Sequence, residues 1–428
     1  MIVRRLVVWQ GQRRVGELIQ DAQGALQFAY SADWLADPAA RPISVSLPQQ
    51  PEPFPDRECR PFFDGLLPEG APRRAAAQAL GVSERNPFAL LDALGGDVAG
   101  ALEFLPPGQQ PAAPAGPAAT PPLDDAGLDA LLDRLPLRPL LAGEGGLRLS
   151  LAGAQAKLPV CLADGRISLP APGQPTTHIL KPAIPDLPAS TENEAFAMLL
   201  AAGLGLPVAP VEARSISRPA GPRRTFLLVT RYDRAFVDGR VRRIHQEDVC
   251  QALGIPALMK YQSEGGPSLA RCFALVQAAS TFPAVDRLSL LDLVIVNAIL
   301  GNADAHGKNL SLLHADGGTR LAPFYDLMST EFYPAHSKTF AMKIGDASQF
   351  RRLGPRAWTE FAGQASLALP FVRRRILALA ERVPEATEAV LARLDRPGLD
   401  VESLRSLAEL VKARAVRLAA GVSHPVQD

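Results

Sequence analysis

The chain has 428 residues, 47% of them hydrophobic, with 45 Lys and Arg against 44 Asp and Glu, for a formal net charge of +1. That length buries one large core or two, which suits a soluble protein of two or three domains and leaves room for an enzyme. The near-zero charge excludes a chain-wide basic field that would hold the protein on nucleic acid or anionic lipid, so any DNA contact is local or supplied by a partner. Cys59, Cys161, Cys250 and Cys272 lie far apart and form no CxxC pair, which argues against a zinc ribbon or a disulfide framework and for a reducing cytoplasm. The opening "MIVRRLVVWQ" has too short an apolar stretch and no small-residue cleavage site, so it is not read as a signal peptide. The longest apolar run, Leu290 to Leu300, contains Asp292 and Asn297 and falls short of the ~20 residues of a membrane helix.

In chain order, "RRLVVWQ", "RRVGELI" and "ALQFAYS" read as short strands separated by turn residues, an antiparallel meander opening the protein. "APRRAAAQALG" and "NPFALLDALGGD" carry helical apolar spacing closed by glycines. These elements form an N-terminal subdomain over residues 1–105. Residues 106–122, "PPGQQPAAPAGPAATPP", cannot bury enough apolar surface to offset chain ordering and read as a linker. A short helix near Leu128 to Leu135 follows, then strand-like "LRLSLAG", "AKLPVCL", "THILKPA", "VAPVEARSI" and "TFLLVTRYD", with the helical "TENEAFAMLLAAGLG" inside the series. Five strands interrupted by one helix resemble the small lobe of a protein kinase, here residues 123–245. From 246 to 428 helical patterns dominate, and an all-helical C-terminal lobe is expected.

"NADAHGKN" (302–309) crowds Asp304, His306, Lys308 and Asn309 beside the apolar run that precedes it. Asp304 and Asn309 have the D-x-x-x-x-N spacing of a kinase catalytic loop, in which the Asp meets the acceptor hydroxyl and the Asn binds a metal ion. Asp326, in "LAPFYDLMST", follows where a kinase keeps its Mg2+ aspartate. Upstream, Lys181 ends the strand "HILK" and Glu194 sits early in the next helix, the lysine and glutamate of a kinase small lobe. Lys181 would neutralise ATP phosphates with Glu194 holding its ammonium, Asn309 and Asp326 would hold Mg2+, and Asp304 would orient or deprotonate the acceptor. Blander readings stand beside these: a strand-end lysine, Glu192 in place of Glu194, a polar helix-end turn at 304–309, and a bracing role for His306.

Across nearly its whole length the chain resembles the HipA toxins, serine/threonine kinases of bacterial type II toxin-antitoxin modules. The motifs that carry the resemblance are "FFDGLLPEG" (62–70), "GGDVAGAL" (95–102), "SLAGAQAKL" (150–158), "HILKP" (178–182), "NE" (193–194), "RYDR" (231–234), "QEDVCQALG" (246–254), "KYQSEGGP" (260–267), "GNADAHGKN" (301–309), "PFYDLMST" (323–330) and "MKIG" (342–345). The resemblance implies an α+β, two-lobed kinase-like fold of the phosphatidylinositol kinase branch behind the N-terminal subdomain. It implies Ser150 as an autophosphorylated serine in the loop over the ATP phosphates, with a strand-edge serine as the bland alternative. A phosphate there adds ~1.5 to 2 negative charges, repulsive beside ATP. It also implies nucleotide contacts from Gly153, Ala154, Gln155 and Lys157, from Thr230 and Tyr232 at an adenine hinge, and from His306, Lys308 and Asn309; Tyr232 is equally readable as core.

The partners implied are a small helix-turn-helix antitoxin of the HipB kind, operator DNA through that complex, and a protein substrate, with glutamyl-tRNA synthetase as one target. The expected location is the cytoplasm, on the nucleoid when bound to antitoxin. Arg373 to Arg375 form a local basic patch that could touch phosphates or simply face solvent. Two competing readings are a catalytically silent co-repressor and a small-molecule kinase of the aminoglycoside or sugar type; the latter leaves the N-terminal subdomain and the Ser150 motif without a reason.

Overall fold

In the computed structural model, which describes residues 3–112, 120–218 and 221–423, the chain opens with the expected meander. β1 (Arg4–Gln10), β2 (Arg13–Gln20) and β3 (Leu26–Tyr30) pair antiparallel. α1 (Ala32–Ala36), capped by Ser31, leads to β4 (Phe54–Pro55), α2 (Asp56–Asp64), α3 (Gly70–Leu80), α4 (Pro87–Leu94) and β5 (Leu102–Leu105). The sheet order is β4-β3-β2-β1-β5. Phe28, Phe62, Phe63, Phe88 and Phe104 are fully or almost fully buried between sheet and helices, packed among leucines. Asn86 caps α4 and Pro87 occupies its first turn, where a missing N–H costs nothing. Of the expected linker, residues 113–119 lie outside the described residues.

After α5 (Asp125–Arg134) comes a second antiparallel sheet of β6 (Leu158–Ala163), β7 (Arg166–Ser168), β8 (His178–Pro182), β9 (Val211–Ile216) and β10 (Arg224–Thr230), in the order β7-β6-β8-β10-β9. α6 (Ser190–Gly203) lies between β8 and β9 in sequence. Five strands and one helix are present, but "LRLSLAG" is not one of the strands. Its backbone bonds go to the N-terminal subdomain instead: Asp97 N–H donates to Arg148 O and Ser150 N–H to Asp97 O. Gly153 then turns at φ +110°, where strand pairing cannot continue. The fifth strand is the short β7.

β10 is buried on both faces, and its period of two sorts residues between two cores. Phe226 and Leu228 face the N-terminal subdomain, while Leu227 and Val229 face α6 and the rest of the chain. The same alternation in β8 sends Leu180 into the first core and leaves Ile179 and Lys181 on the opposite side, at a cleft.

β11 (Arg234–Val237) and β12 (Arg240–Arg243) form a hairpin, followed by β13 (His245–Asp248), α7 (Val249–Ala252), α8 (Leu269–Ala279), α9 (Pro283–Leu300), β14 (Ser311–Ala315), β15 (Gly318–Leu321), β16 (Thr339–Ile344), β17 (Ala347–Gln349), α10 (Pro355–Gln364), α11 (Leu369–Leu394) and α12 (Val401–Ser423). The all-helical expectation is therefore corrected: β13-β14-β15 form a sheet and β16-β17 a hairpin within this lobe. β13 reads "HQED" and has no apolar alternation to reveal it. Its edges are fixed by tertiary bonds, with Glu247 accepting from Ser44 Oγ at 2.5 Å and from Val45 N–H at 3.0 Å.

"GGDVAGAL" and "RYDR" meet in one buried ion network. Asp97 accepts from Arg234 at 2.7 Å, Arg243 at 3.1 Å, Arg231 at 3.2 Å and the Thr176 hydroxyl at 2.6 Å. Asp233 takes both ends of the Arg231 fork and the Gly100 N–H. Burial opposes the charge on Asp97, but the three arginines outweigh it and hold the carboxyl far below the usual range. Removing one partner strands buried charge, so Asp97→Ala is expected to lose roughly 3–5 kcal/mol in urea unfolding. Asp92→Ala, which deletes an exposed pair with Arg4, should cost under about 1 kcal/mol.

Candidate active site

A cleft of about 660 Å³ runs between the second sheet and the helical lobe. Every site residue expected from sequence lines it except Ser150. Lys181 is the centre. Its Nζ donates to Glu194 Oε1 at 2.5 Å and to Asp326 Oδ1 at 2.7 Å. Burial disfavours the ammonium, yet Asp326 and Glu194 outweigh it and keep the lysine charged. Burial pushes the Glu194 carboxyl up, and Lys181 offsets only part of that. Glu192, the competitor, instead accepts from Asp400 N–H at 3.3 Å. Glu194 is thus the lysine's partner.

Asp326 sits at φ +62°, a left-handed conformation that Asp tolerates better than most residues but that still costs energy. Its side chain keeps 42% exposure to the cleft. Burial of the site works against its charge, and Lys181 and Lys157 hold the carboxyl well below the usual range. The loop that carries it is tied to α6 by Asn193, which donates to Ser329 O at 3.0 Å and accepts from Ser329 N–H at 2.8 Å. Sequence reading quoted Asn193 without giving it a task. The available signal was five consecutive polar residues, Ser190 to Glu194, opening an otherwise apolar helix; the structure buries all five.

Asp304 lies on the opposite wall. α9 ends at Gly301 in a left-handed C-cap, where a Cβ would come within 2.9 Å of Glu331. Asn302 Oδ1 then accepts from Asp304 N–H at 3.0 Å, and Ala303 bonds Thr330 and Ala341. The loop is fixed from three sides. Asp304 itself is exposed to the cleft, and Tyr261 OH donates to its Oδ1 at 2.9 Å. Asn309 makes one long bond, Nδ2 to Asp304 O at 3.5 Å. Its amide oxygen and the open carboxylate of Asp326 are hard oxygen donors lining the same cleft, a set that fits Mg2+. Among the described residues no cluster of three His, Cys, Asp or Glu forms a softer metal site.

The glycine loop over the cleft fits a phosphate cradle. A Cβ on Gly153 would come within 2.6 Å of Lys157 Nζ, which donates to Ala152 O at 2.9 Å. Gln155 reaches Pro182 O at 3.3 Å. Among the described residues the amides of Ala154 and Gln155 find no protein acceptor, as an anion-binding turn requires. Lys157 is pulled below its ordinary range by burial and by the like charge of Lys181, conditions that an added anion would relieve. At the other end Thr230 and Tyr232 line the wall. Tyr232 stacks on Tyr325 at 5.7 Å and bonds Gln246, so it serves both cleft and core.

Three further residues of the expected set are buried. Ser150 is fully buried, its hydroxyl donating to Leu66 O at 2.8 Å. Lys308 borders the cleft, but its ammonium is taken up by Asp248 at 2.6 Å and Gly65 O at 3.1 Å. These contacts join the N-terminal subdomain to the helical lobe. His306 lines the cleft with its ring buried and edge-on to Tyr261 at 5.3 Å, an arrangement that suits the bracing alternative. The basic patch is also smaller than it reads, since Arg375 is paired with Asp292.

Residues 6–105 match the family model described as the HipA N-terminal domain, and residues 149–391 match the HipA-like C-terminal domain. The chain belongs to the HipA family. A Sinorhizobium fredii protein, Y4mE, named as a candidate kinase, is 53% identical over 418 residues, spanning 97% of this chain and 98% of that one. The serine/threonine-protein kinase toxin HipA of Shewanella oneidensis is 31% identical over 431 residues, spanning 91% and 89%. The solved complex of Shewanella oneidensis HipA with HipB and its operator DNA matches with a TM-score of 0.84 at 29% identity, over 97% of this chain and 98% of that one. The mixed α/β, kinase-like fold described above is therefore the HipA fold. No helix among the described residues is long and apolar enough to cross a membrane.

The buried His306 makes the site sensitive to acid. Burial, with Lys260 nearby, lowers its imidazole from 6.5 to about 4. Between those values the unfolded chain takes up a proton that the folded chain refuses, so stability falls as pH drops through this window. The thermal midpoint is expected to decline from pH 7 to pH 4, and less steeply in His306→Asn, by differential scanning fluorimetry.

Proposed function

We propose that this HipA-family chain is an ATP-dependent protein serine/threonine kinase and the growth-arresting toxin of a toxin-antitoxin pair, built on a kinase fold of the phosphatidylinositol kinase type. The observation that carries the reading is Lys181 held between Glu194 and Asp326, across one cleft from Asp304 and Asn309. Lys181 and Lys157 bind the phosphates of ATP. Asn309 and Asp326 would hold Mg2+, which would neutralise phosphate charge. Asp304 accepts the acceptor's proton as the hydroxyl oxygen bonds to the γ-phosphorus, the γ-phosphorus bond to the bridging oxygen breaks, and ADP departs.

The acceptor is a protein serine or threonine, with glutamyl-tRNA synthetase as the target that family resemblance favours. Ser150 is a second acceptor. Its hydroxyl is buried against Leu66 O, so a phosphate there has no room and faces carbonyl oxygens; once modified, the loop stays out and the cradle is lost. A HipB-like antitoxin and operator DNA complete the assembly. The support is the overall match to Shewanella HipA, which was solved with both. A net charge of +1 suits DNA contact made largely through the partner.

The test is purified protein with Mg-ATP, read by intact mass and phosphosite mapping. One phosphate on Ser150 is expected, absent from Ser150→Ala and from Asp304→Gln, with Lys181→Met slowed at least a hundredfold. Unmodified wild-type protein that gains no phosphate, on itself or on glutamyl-tRNA synthetase, would overturn the kinase reading. Growth arrest by Asp304→Gln would overturn the kinase basis of toxicity.

A further inference from the structure

The segment "KYQSEGGP" lies at the mouth of the cleft on the side of Asp304, and the reading of the site leaves it without a task. Tyr261 OH donates to Asp304 Oδ1 at 2.9 Å. This contact and the loop's own backbone bonds set where the carboxylate points, because Asp304 is otherwise open to solvent. An exposed aspartate with a free χ1 would sample several rotamers. With one oxygen held by a phenol, the other is left as the acceptor-facing oxygen.

The tyrosine is held in turn. Its ring stands edge-on to the buried His306 at 5.3 Å and 85°. The neighbouring Lys260 donates to Glu69 at 2.9 Å, and both partners are largely buried. Glu69 belongs to the N-terminal subdomain, and its own N–H donates to Gly153 O in the glycine loop at 3.0 Å. The next turn is equally constrained, since a Cβ on Gly266 would come within 2.3 Å of Met259 O. A chain of contacts therefore runs from the glycine loop through Glu69 and Lys260 to Tyr261 and ends on Asp304.

We propose that Tyr261 is a positioning residue of phosphoryl transfer, fixing one oxygen of Asp304 so that the other meets the acceptor hydroxyl, with Glu69 of the N-terminal subdomain as its anchor through Lys260. The inference rests on the reading of Asp304 as the acceptor-side carboxylate. Tyr261→Phe keeps the ring on His306 and removes only the hydroxyl, so fold and nucleotide binding are retained.

The experiment measures initial rates of transfer from Mg-ATP, to the chain's own serine and to water, over a range of ATP concentrations, for wild type, Tyr261→Phe, Glu69→Gln and Asp304→Asn, with thermal midpoints alongside. Misaimed catalytic groups lose about tenfold or more in rate. Tyr261→Phe is expected to lower kcat at least tenfold with the ATP KM and thermal midpoint unchanged, and Glu69→Gln to lower kcat less. Wild-type rates in Tyr261→Phe, or a fall in kcat matched by a rise in ATP KM or a loss of thermal stability, would overturn the inference while leaving the kinase reading intact. An inactive wild type, or an Asp304→Asn variant as fast as wild type, would overturn the reading beneath it.

Discussion

The cleft depends on one charge that cannot be left alone. Lys181 is buried, and a buried ammonium is stable only where carboxylates face it at hydrogen-bond distance. Glu194 and Asp326 do so from a helix and from a loop on different sides. Three elements are thereby drawn to one point: β8 by the lysine, α6 by Glu194, and the segment after β15 by Asp326. Asn193, next to Glu194, clasps Ser329 beyond Asp326. The same helix turn thus fixes both the lysine's partner and the loop bearing the second acid. Asp326 keeps one face open to the cleft, so on the proposed reading a phosphate bound at Lys181 would leave its carboxylate to a metal ion.

The N-terminal subdomain shares an apolar core with the second sheet, while its seam with the helical lobe and the glycine loop is polar. Gln251 donates to Phe62 O at 2.8 Å, Ser44 to Glu247, Lys308 to Gly65 O and Ser150 to Leu66 O. Gly65 and Gly100 are glycines for steric reasons: a Cβ on Gly65 would meet Gln251 at 2.8 Å, and one on Gly100 would meet the Gln246 backbone at 2.9 Å. A subdomain that merely adjoined a kinase would be expected to meet it through a few surface side chains. Here backbone carbonyls of 62–66 accept from side chains of the helical lobe and from the glycine loop together, so movement of one is felt by the others.

The individual strands and helices with period-two or period-3.6 apolar patterns were legible in the sequence, as in "RRLVVWQ" and "TENEAFAMLL". So was the grouping of Asp304 and Asn309, five positions apart in one loop, on the wall of a single cleft. The strand β13 was not, since "HQED" has no apolar alternation and is held extended by antiparallel pairing with β14, far along the chain. The strand wrongly read at "LRLSLAG" shows the reverse: its alternation is real, and its apolar side chains are buried, but its partner is Asp97 rather than the neighbouring sheet. Pattern records which side chains are buried, and it is silent on what buries them.

That silence also separates Lys181 from Lys308. Both are buried lysines next to acidic residues in motifs, and sequence assigned both to the nucleotide. What distinguishes them is how many fixed acceptors surround each ammonium. Lys308 has Asp248, which is itself locked as the cap of α7 by Gln251, and a backbone carbonyl that cannot move away. Its charge has nowhere else to go. Lys181 has one buried glutamate and one aspartate whose side chain is 42% exposed to the cleft. An incoming anion can compete for the second only because that acid can turn to solvent or to a cation. On the proposed reading, the phosphate-binding lysine differs from Lys308 in having one acceptor whose side chain is open to the cleft.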